Sequence, residues 1–283
     1  MQYYVMVIIA AVLFSLQFLC QQKYEKLCGT KLSAALGFSM YKGITVIIMM
    51  LVLSGGRIGF SWFSLALAAV YALCYILMIE FSLNAFSVAN LSVYSVFTML
   101  GGMLLPFLAG VWFYNEGLSV FKVICCLLII VAVLMNVQKG HGSKKAFVYY
   151  MLVFILNGMV GVISKAHQDS PIVHVDSESF MFYSGVFTVI ICSLWLVLMG
   201  EKVPLMRNKD LLYSAGDGFL NGVGDLLLFI AIAQLPASVQ YPLVTGGVMV
   251  FSTVISLIRK EKLRVLEYIA AVIAFAASVM MAF

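Results

Sequence analysis

The stretch Phe38-Ser39-Met40-Tyr41-Lys42-Gly43 returns 142 residues later as Phe180-Met181-Phe182-Tyr183-Ser184-Gly185. Lys23 and Lys165 stand at the same separation. Further along the separation becomes 145, where Gly101-Gly102 meets Gly246-Gly247 and Glu116 meets Glu261. Each match alone is weak. Their common order and nearly constant spacing read as one unit used twice, with halves 1–140 and 141–283.

The surroundings of these matches say what the unit is made of. Of 283 residues, 64% are apolar and 10% are charged. A soluble domain carries roughly 45–50% and 25%, so this chain lacks the polar surface to cover a water-exposed fold and reads as an integral membrane protein. The net charge of +5 is scattered between apolar blocks, which excludes a basic stripe for nucleic acid. Ten segments approach the roughly 20 apolar residues a spanning helix needs: Tyr3–Cys20, Leu32–Ser54, Trp62–Leu83, Val88–Phe113, Leu118–Val137, Phe147–Ser164, Ser179–Met199, Leu211–Ile232, Val239–Ile258 and Val265–Phe283. Turn residues or charges part them, as at Gly55-Gly56-Arg57, Asn115-Glu116-Gly117 and Leu235-Pro236-Ala237. The runs are too long for barrel strands. The first span has no Lys or Arg before Lys23 and reads as a retained helix rather than a leader.

Five crossings per unit is an odd number, so the second copy enters the membrane inverted. The expected fold is all-α, with ten transmembrane helices in two inverted five-helix repeats about an axis in the membrane plane. By charge, thirteen Lys and Arg follow odd-numbered spans and three lie at even-numbered loops (Arg57, Lys122, Lys165). Basic residues favour the cytoplasm, which would turn both termini outward.

The loops leave no room for a soluble catalytic domain. No GxxxxGK[ST] loop, HExxH or GxSxG occurs, so neither enzyme chemistry nor a cofactor is expected. The six cysteines show no CxxC spacing and read as small buried apolar groups. His141, His167 and His174 fall in expected loops and read as solvated.

Ionisable groups deep in a span need a partner or a wet cavity. The mid-span candidates are Lys42, Glu80, Asp217 and Asp225. Asp217, Asn221 and Asp225 recur every fourth residue, so they share one helical face. Gly218 and Gly222 beside them allow another helix to come close. That face reads as a cavity wall. Lys42 is too central to snorkel comfortably, and a salt bridge to Asp225 or Glu80 is the expected solution; an anionic substrate group is another. Further candidates for the wall are Gln17, Tyr41, Tyr71, Tyr75, Asn90, Tyr94, Asn157, Tyr183, Gln240 and Tyr241. Pro106, Pro242 and Gly246-Gly247 are expected to loosen their helices locally.

The sequence resembles the EamA-type ten-helix transporters of the drug/metabolite transporter superfamily over essentially its whole length. The resemblance is carried by Gly101-Gly102 to Asn115-Glu116-Gly117 and by Gly246-Gly247 to Lys260-Glu261-Lys262-Leu263, each followed by an apolar last helix. Tyr241 through Gly247 is also similar to the glycine-rich helix of small multidrug resistance proteins. The resemblance implies helices one to four and six to nine around a central cavity, with five and ten outside. It also implies cytoplasmic termini, against the charge count. The carboxylate that small multidrug relatives carry in the first helix is replaced here by Ser15 and Gln17, so their exchange mechanism does not transfer.

The expectation is a secondary carrier that moves a small organic metabolite or drug-like solute by alternating access. It would work as a monomer in a bacterial inner membrane, with a proton or another ion as possible coupling partner. Two other readings stand beside it. Gly222-Val223-Gly224-Asp225 matches the GxGD signature of intramembrane aspartyl proteases, but Asp217 lies about 12 Å along the same helix and cannot complete a dyad. A non-transporting assembly subunit is the third.

Overall fold

A computed structural model describes residues 2–88, 91–113, 124, 127–128, 131, 144–168, 170–202, 208–232, 237–261 and 263–280. Nine helices are described: α1 (Gln2–Cys28), α2 (Leu32–Leu53), α3 (Trp62–Phe86), α4 (Leu91–Phe113), α5 (Lys144–Gln168), α6 (Ser177–Leu198), α7 (Lys209–Ile232), α8 (Ala237–Ile258) and α9 (Val265–Met280). No strand occurs among the described residues. The expected span Leu118–Val137 lies mostly outside them. Among the described residues, five helices are long and apolar enough to cross a membrane on those criteria alone: α1, α2, α3, α6 and the stretch Phe147–Gln168 of α5.

Helices satisfy every backbone amide internally, the condition for crossing hydrocarbon. Hydroxyls inside the spans solve the same problem by bonding back one turn. Ser82 Oγ donates to Met78 O at 2.6 Å, Thr98 Oγ1 to Tyr94 O at 3.0 Å and Thr188 Oγ1 to Ser184 O at 2.7 Å. Helix ends follow capping chemistry. Asp176 Oδ1 accepts from Ser179 N at 2.8 Å to start α6, and Gly200, at φ +69°, ends it in the left-handed region. Pro106 lies inside α4, and α8 continues through Pro242 and Gly246-Gly247, so neither helix breaks there.

The packing interleaves the two halves. α1 lies against α7 and α8; α5 lies against α3 and α4. Each half thus holds the other's opening helix. α2 packs on α6 and α7, α3 on α6, and α4 on α8. Exchanging α1 with α5, α2 with α6, α3 with α7 and α4 with α8 maps these contacts onto one another. α2 and α6 cross where glycine meets glycine: a Cβ on Gly43 would lie 3.2 Å from Gly185 O, and one on Gly185 would lie 3.2 Å from Gly43 O. These two glycines are the last pair of the quoted repeat. α9 packs on α8 and touches α4 only lightly, so it sits outside the bundle.

The main core cluster joins α1, α3, α4, α5 and α8 through Phe18, Ile79, Phe97, Val153 and Val248. Large apolar side chains such as Val52, Leu198, Leu212 and Phe219 point outward. In lipid that outer surface is the solvated one.

Candidate functional site: a buried ion pair above a central cavity

The polar face of α7 divides into two parts. Two of its glycines show which helices come close. Gly218 leaves room for α2: a Cβ there would lie 2.9 Å from Lys42 O and 3.3 Å from Lys42 Cα. Gly224 leaves room for α1, with a Cβ position 2.7 Å from the Phe14 ring. The backbones of α2 and α7 therefore touch at the level of Asp217, and Lys42 meets Asp217 rather than Asp225 or Glu80. This corrects the pairing expected from sequence. Asp225 lies eight residues further along α7, about 12 Å at 1.5 Å per residue.

Lys42 Nζ stands 2.5 Å from Asp217 Oδ2, and both side chains are buried. The ammonium also donates to the Tyr75 hydroxyl and lies 4.3 Å from the centre of that ring. Gln21 Nε2 donates to Asp217 Oδ1 at 2.9 Å, Tyr94 OH donates to Gln21 Oε1 at 3.2 Å, and the Ser82 and Tyr94 hydroxyls are 2.7 Å apart. Gln17 Nε2 donates to Tyr75 OH at 3.3 Å. One network thus ties α1, α2, α3, α4 and α7 in mid-bundle. A buried pair needs this support, because Coulomb attraction alone barely offsets the desolvation of two charges.

Asn221 and Asp225 lie on the other side of the division, in the wall of a central cavity of about 180 Å³. Asn221 Nδ2 donates to Asp225 Oδ2 at 3.1 Å. Gln17, Tyr71, Tyr75 and Asn157 also line this cavity, with Phe14, Phe18 and Phe180. Asn157 is held by its bond to Thr98 O at 2.6 Å. The cavity runs from Asp225 to Gln168 and Ser177, where α5 stops and α6 begins. A smaller space of about 30 Å³ lies beside Lys42 and its repeat mate Ser184.

At the opposite end the helices are tied together. Arg259 pairs with Glu261 at 3.1 Å and donates to Gln22 Oε1, and Gln22 Nε2 donates to Glu261 Oε1 at 3.2 Å. Leu91 N donates to Glu261 Oε2. This clasp joins the ends of α1, α4 and α8.

Other sequence candidates are placed elsewhere. Glu80 is half-buried and accepts from Asn84 Nδ2 at 3.4 Å, away from the residues that line the cavity. Tyr41 packs among apolar neighbours, and Tyr183 OH donates to Gly59 O at 2.8 Å. Asn90 and the side chains of Gln240 and Tyr241 lie outside the described residues. His167 corrects another expectation. It lies in α5, not in a loop; it is buried, 3.0 Å from Ser64 Oγ, and lines the cavity. Gln21 and Ser82 were not singled out. Gln21 stands one turn beyond Gln17, so the spacing rule that grouped the α7 residues would have found it. Nothing among the described residues supports the protease alternative. The hydrogen-bond partner of Asp225 is an amide, and Leu235-Pro236 lie outside those residues.

Comparison with known proteins agrees with this architecture. Residues 144–283 match the EamA-like transporter family. No curated protein matches the chain. A solved structure described only as "Crystal structure of protein" is 16% identical, with a TM-score of 0.67, covering 99% of this chain and 97% of that one. That likeness shows a shared fold. An apolar helical bundle with a polar centre, and a second half that matches the family, together make the chain an EamA-type member of the drug/metabolite transporter superfamily, a membrane transporter.

Proposed function

We propose that this transporter is a secondary carrier working by alternating access on a small organic solute. The observation that carries the reading is the central cavity, which reaches toward one end of the bundle while the Arg259–Glu261–Gln22 clasp ties the other. The exchangeable packing pairs and the Gly43–Gly185 crossing support an inverted repeat of halves 1–140 and 141–283, the arrangement in which an alternative opening to the other side is available at equal structural cost. The interleaving refines the motion. The bodies that rock are α3 and α4 with α5, and α7 and α8 with α1, rather than the two sequence halves as such. α2 and α6 cross between them. One chain supplies both bodies, so a monomer suffices. The solute binds in the cavity, and Lys42 and Asp217 hold the mid-bundle seam above it. By the charge count the clasped end is cytoplasmic and the cavity faces outward. The membrane is a bacterial inner membrane.

Cysteine labelling tests the motion without knowing the solute. In a variant stripped of native cysteines, Ser177→Cys at the cavity end should react readily with a water-soluble thiol reagent, and Leu91→Cys behind the clasp slowly. Adding Arg259→Ala removes the clasp and should raise labelling at Leu91→Cys while lowering it at Ser177→Cys. Labelling that rises at both positions together would describe a leak, and no change at either a static bundle. Both outcomes contradict the proposal.

A further inference from the structure

We infer that the cavity is a site for a monovalent organic cation, an amine-bearing solute with an aromatic or apolar body, whose ammonium binds Asp225. The inference rests on the carrier reading and names its substrate class. Charge balance leads to it. Lys42 is committed to Asp217 at 2.5 Å, with both side chains buried. Asp225 faces the cavity, and it accepts a hydrogen bond from the neutral amide of Asn221 at 3.1 Å. Among the described residues it forms no ion pair. The cavity therefore carries one carboxylate more than its cations balance. At this depth an unbalanced charge is expensive, so a positive partner is favoured there and an anion is repelled.

The rest of the wall suits the same ligand. The Phe14 ring lies against α7 at Gly224, one residue from Asp225. Tyr71 stacks on Tyr75 at 6.1 Å and meets Phe180 edge-on at 5.6 Å, giving a continuous aromatic face across the cavity from α3 to α6. Ring faces attract cations, and Tyr75 already holds the Lys42 ammonium on one side. An aromatic amine would place its ring against this wall and its ammonium on the carboxylate.

Binding to the purified full chain in detergent tests this with three probes of one shape: 2-phenylethylammonium, neutral 2-phenylethanol and anionic 3-phenylpropanoate. The ammonium should bind on the order of tenfold or more tighter than the alcohol, the worth of a charge-assisted hydrogen bond, and the anion weakest. Asp225→Asn keeps the shape and the bond to Asn221 but should erase the preference for ammonium over alcohol; Asp225→Glu should retain it. An unchanged preference in Asp225→Asn overturns the inference, as does tightest binding of the anion or no binding by any probe. None of these results alters the reciprocal labelling at Ser177→Cys and Leu91→Cys, so the cation site and the carrier reading can fail separately.

Discussion

Lys42→Met should strip much of the folded protein from a preparation, and Asp217→Asn made with it should bring most of it back. The reason is the isolation of the pair. Both side chains are buried at 2.5 Å, and the Asp217 carboxylate loses its only ionic partner among the described residues when Lys42 goes. An orphaned buried charge costs about 3–5 kcal/mol, a large part of the roughly 5–15 kcal/mol that holds a domain together. The double variant leaves a neutral amide that Gln21 can still reach from its present 2.9 Å. A double-mutant cycle read by thermal unfolding in detergent should therefore show strong coupling. The decisive control is Lys42→Met with Asp225→Asn, one of the two pairings expected from sequence. If that combination rescues and the Asp217 one does not, the pairing described here is wrong.

The second large effect belongs to Gly101. A methyl group there would lie 2.0 Å from Phe154 O, 2.7 Å from Phe154 C and 2.8 Å from Phe154 Cα. All three are backbone atoms of α5, so relief requires α4 and α5 to part along a seam where they pack closely. Gly101→Ala should cost about 3 kcal/mol, the upper part of the range for overpacking. Gly222 offers the contrast. Its added methyl would come even closer, 1.8 Å, but to Met49 Cε, the free end of a flexible chain that can swing aside. Gly222→Ala should therefore cost under about 1 kcal/mol. Thermal midpoints should fall much further for Gly101→Ala than for Gly222→Ala. The reverse order would show that distance alone, not the stiffness of the neighbour, sets the penalty.

The candidate site was legible in part. The spacing of Asp217, Asn221 and Asp225 marks one face of α7, and that face does meet the polar centre. Spacing could not say that Asp217 meets Lys42 while Asn221 and Asp225 reach the cavity, because that is set by how closely α2 packs on α7 at Gly218. Gln17, Tyr71, Tyr75 and Asn157 reach the cavity, while Glu80, Tyr41 and Tyr183 go to other partners. A polar residue in an apolar helix advertises that it needs a partner. It does not carry the address. The buried position of His167 was hidden for a related reason, since the sequence placed the end of its helix several residues too early.

By itself the sequence determined that this chain lives in lipid as helices. Hydrocarbon admits no unpaired backbone, and runs of about 20 apolar residues leave no other spanning form. It also raised the expectation of two similar units, through the match of Phe38–Gly43 with Phe180–Gly185 and the pairs that follow it in the same order. The tertiary structure decided which helix lies against which, and so which carboxylate Lys42 neutralises and which is left facing the cavity. That choice depends on how closely two backbones approach at Gly218, a distance between residues far apart in the chain that no local pattern encodes.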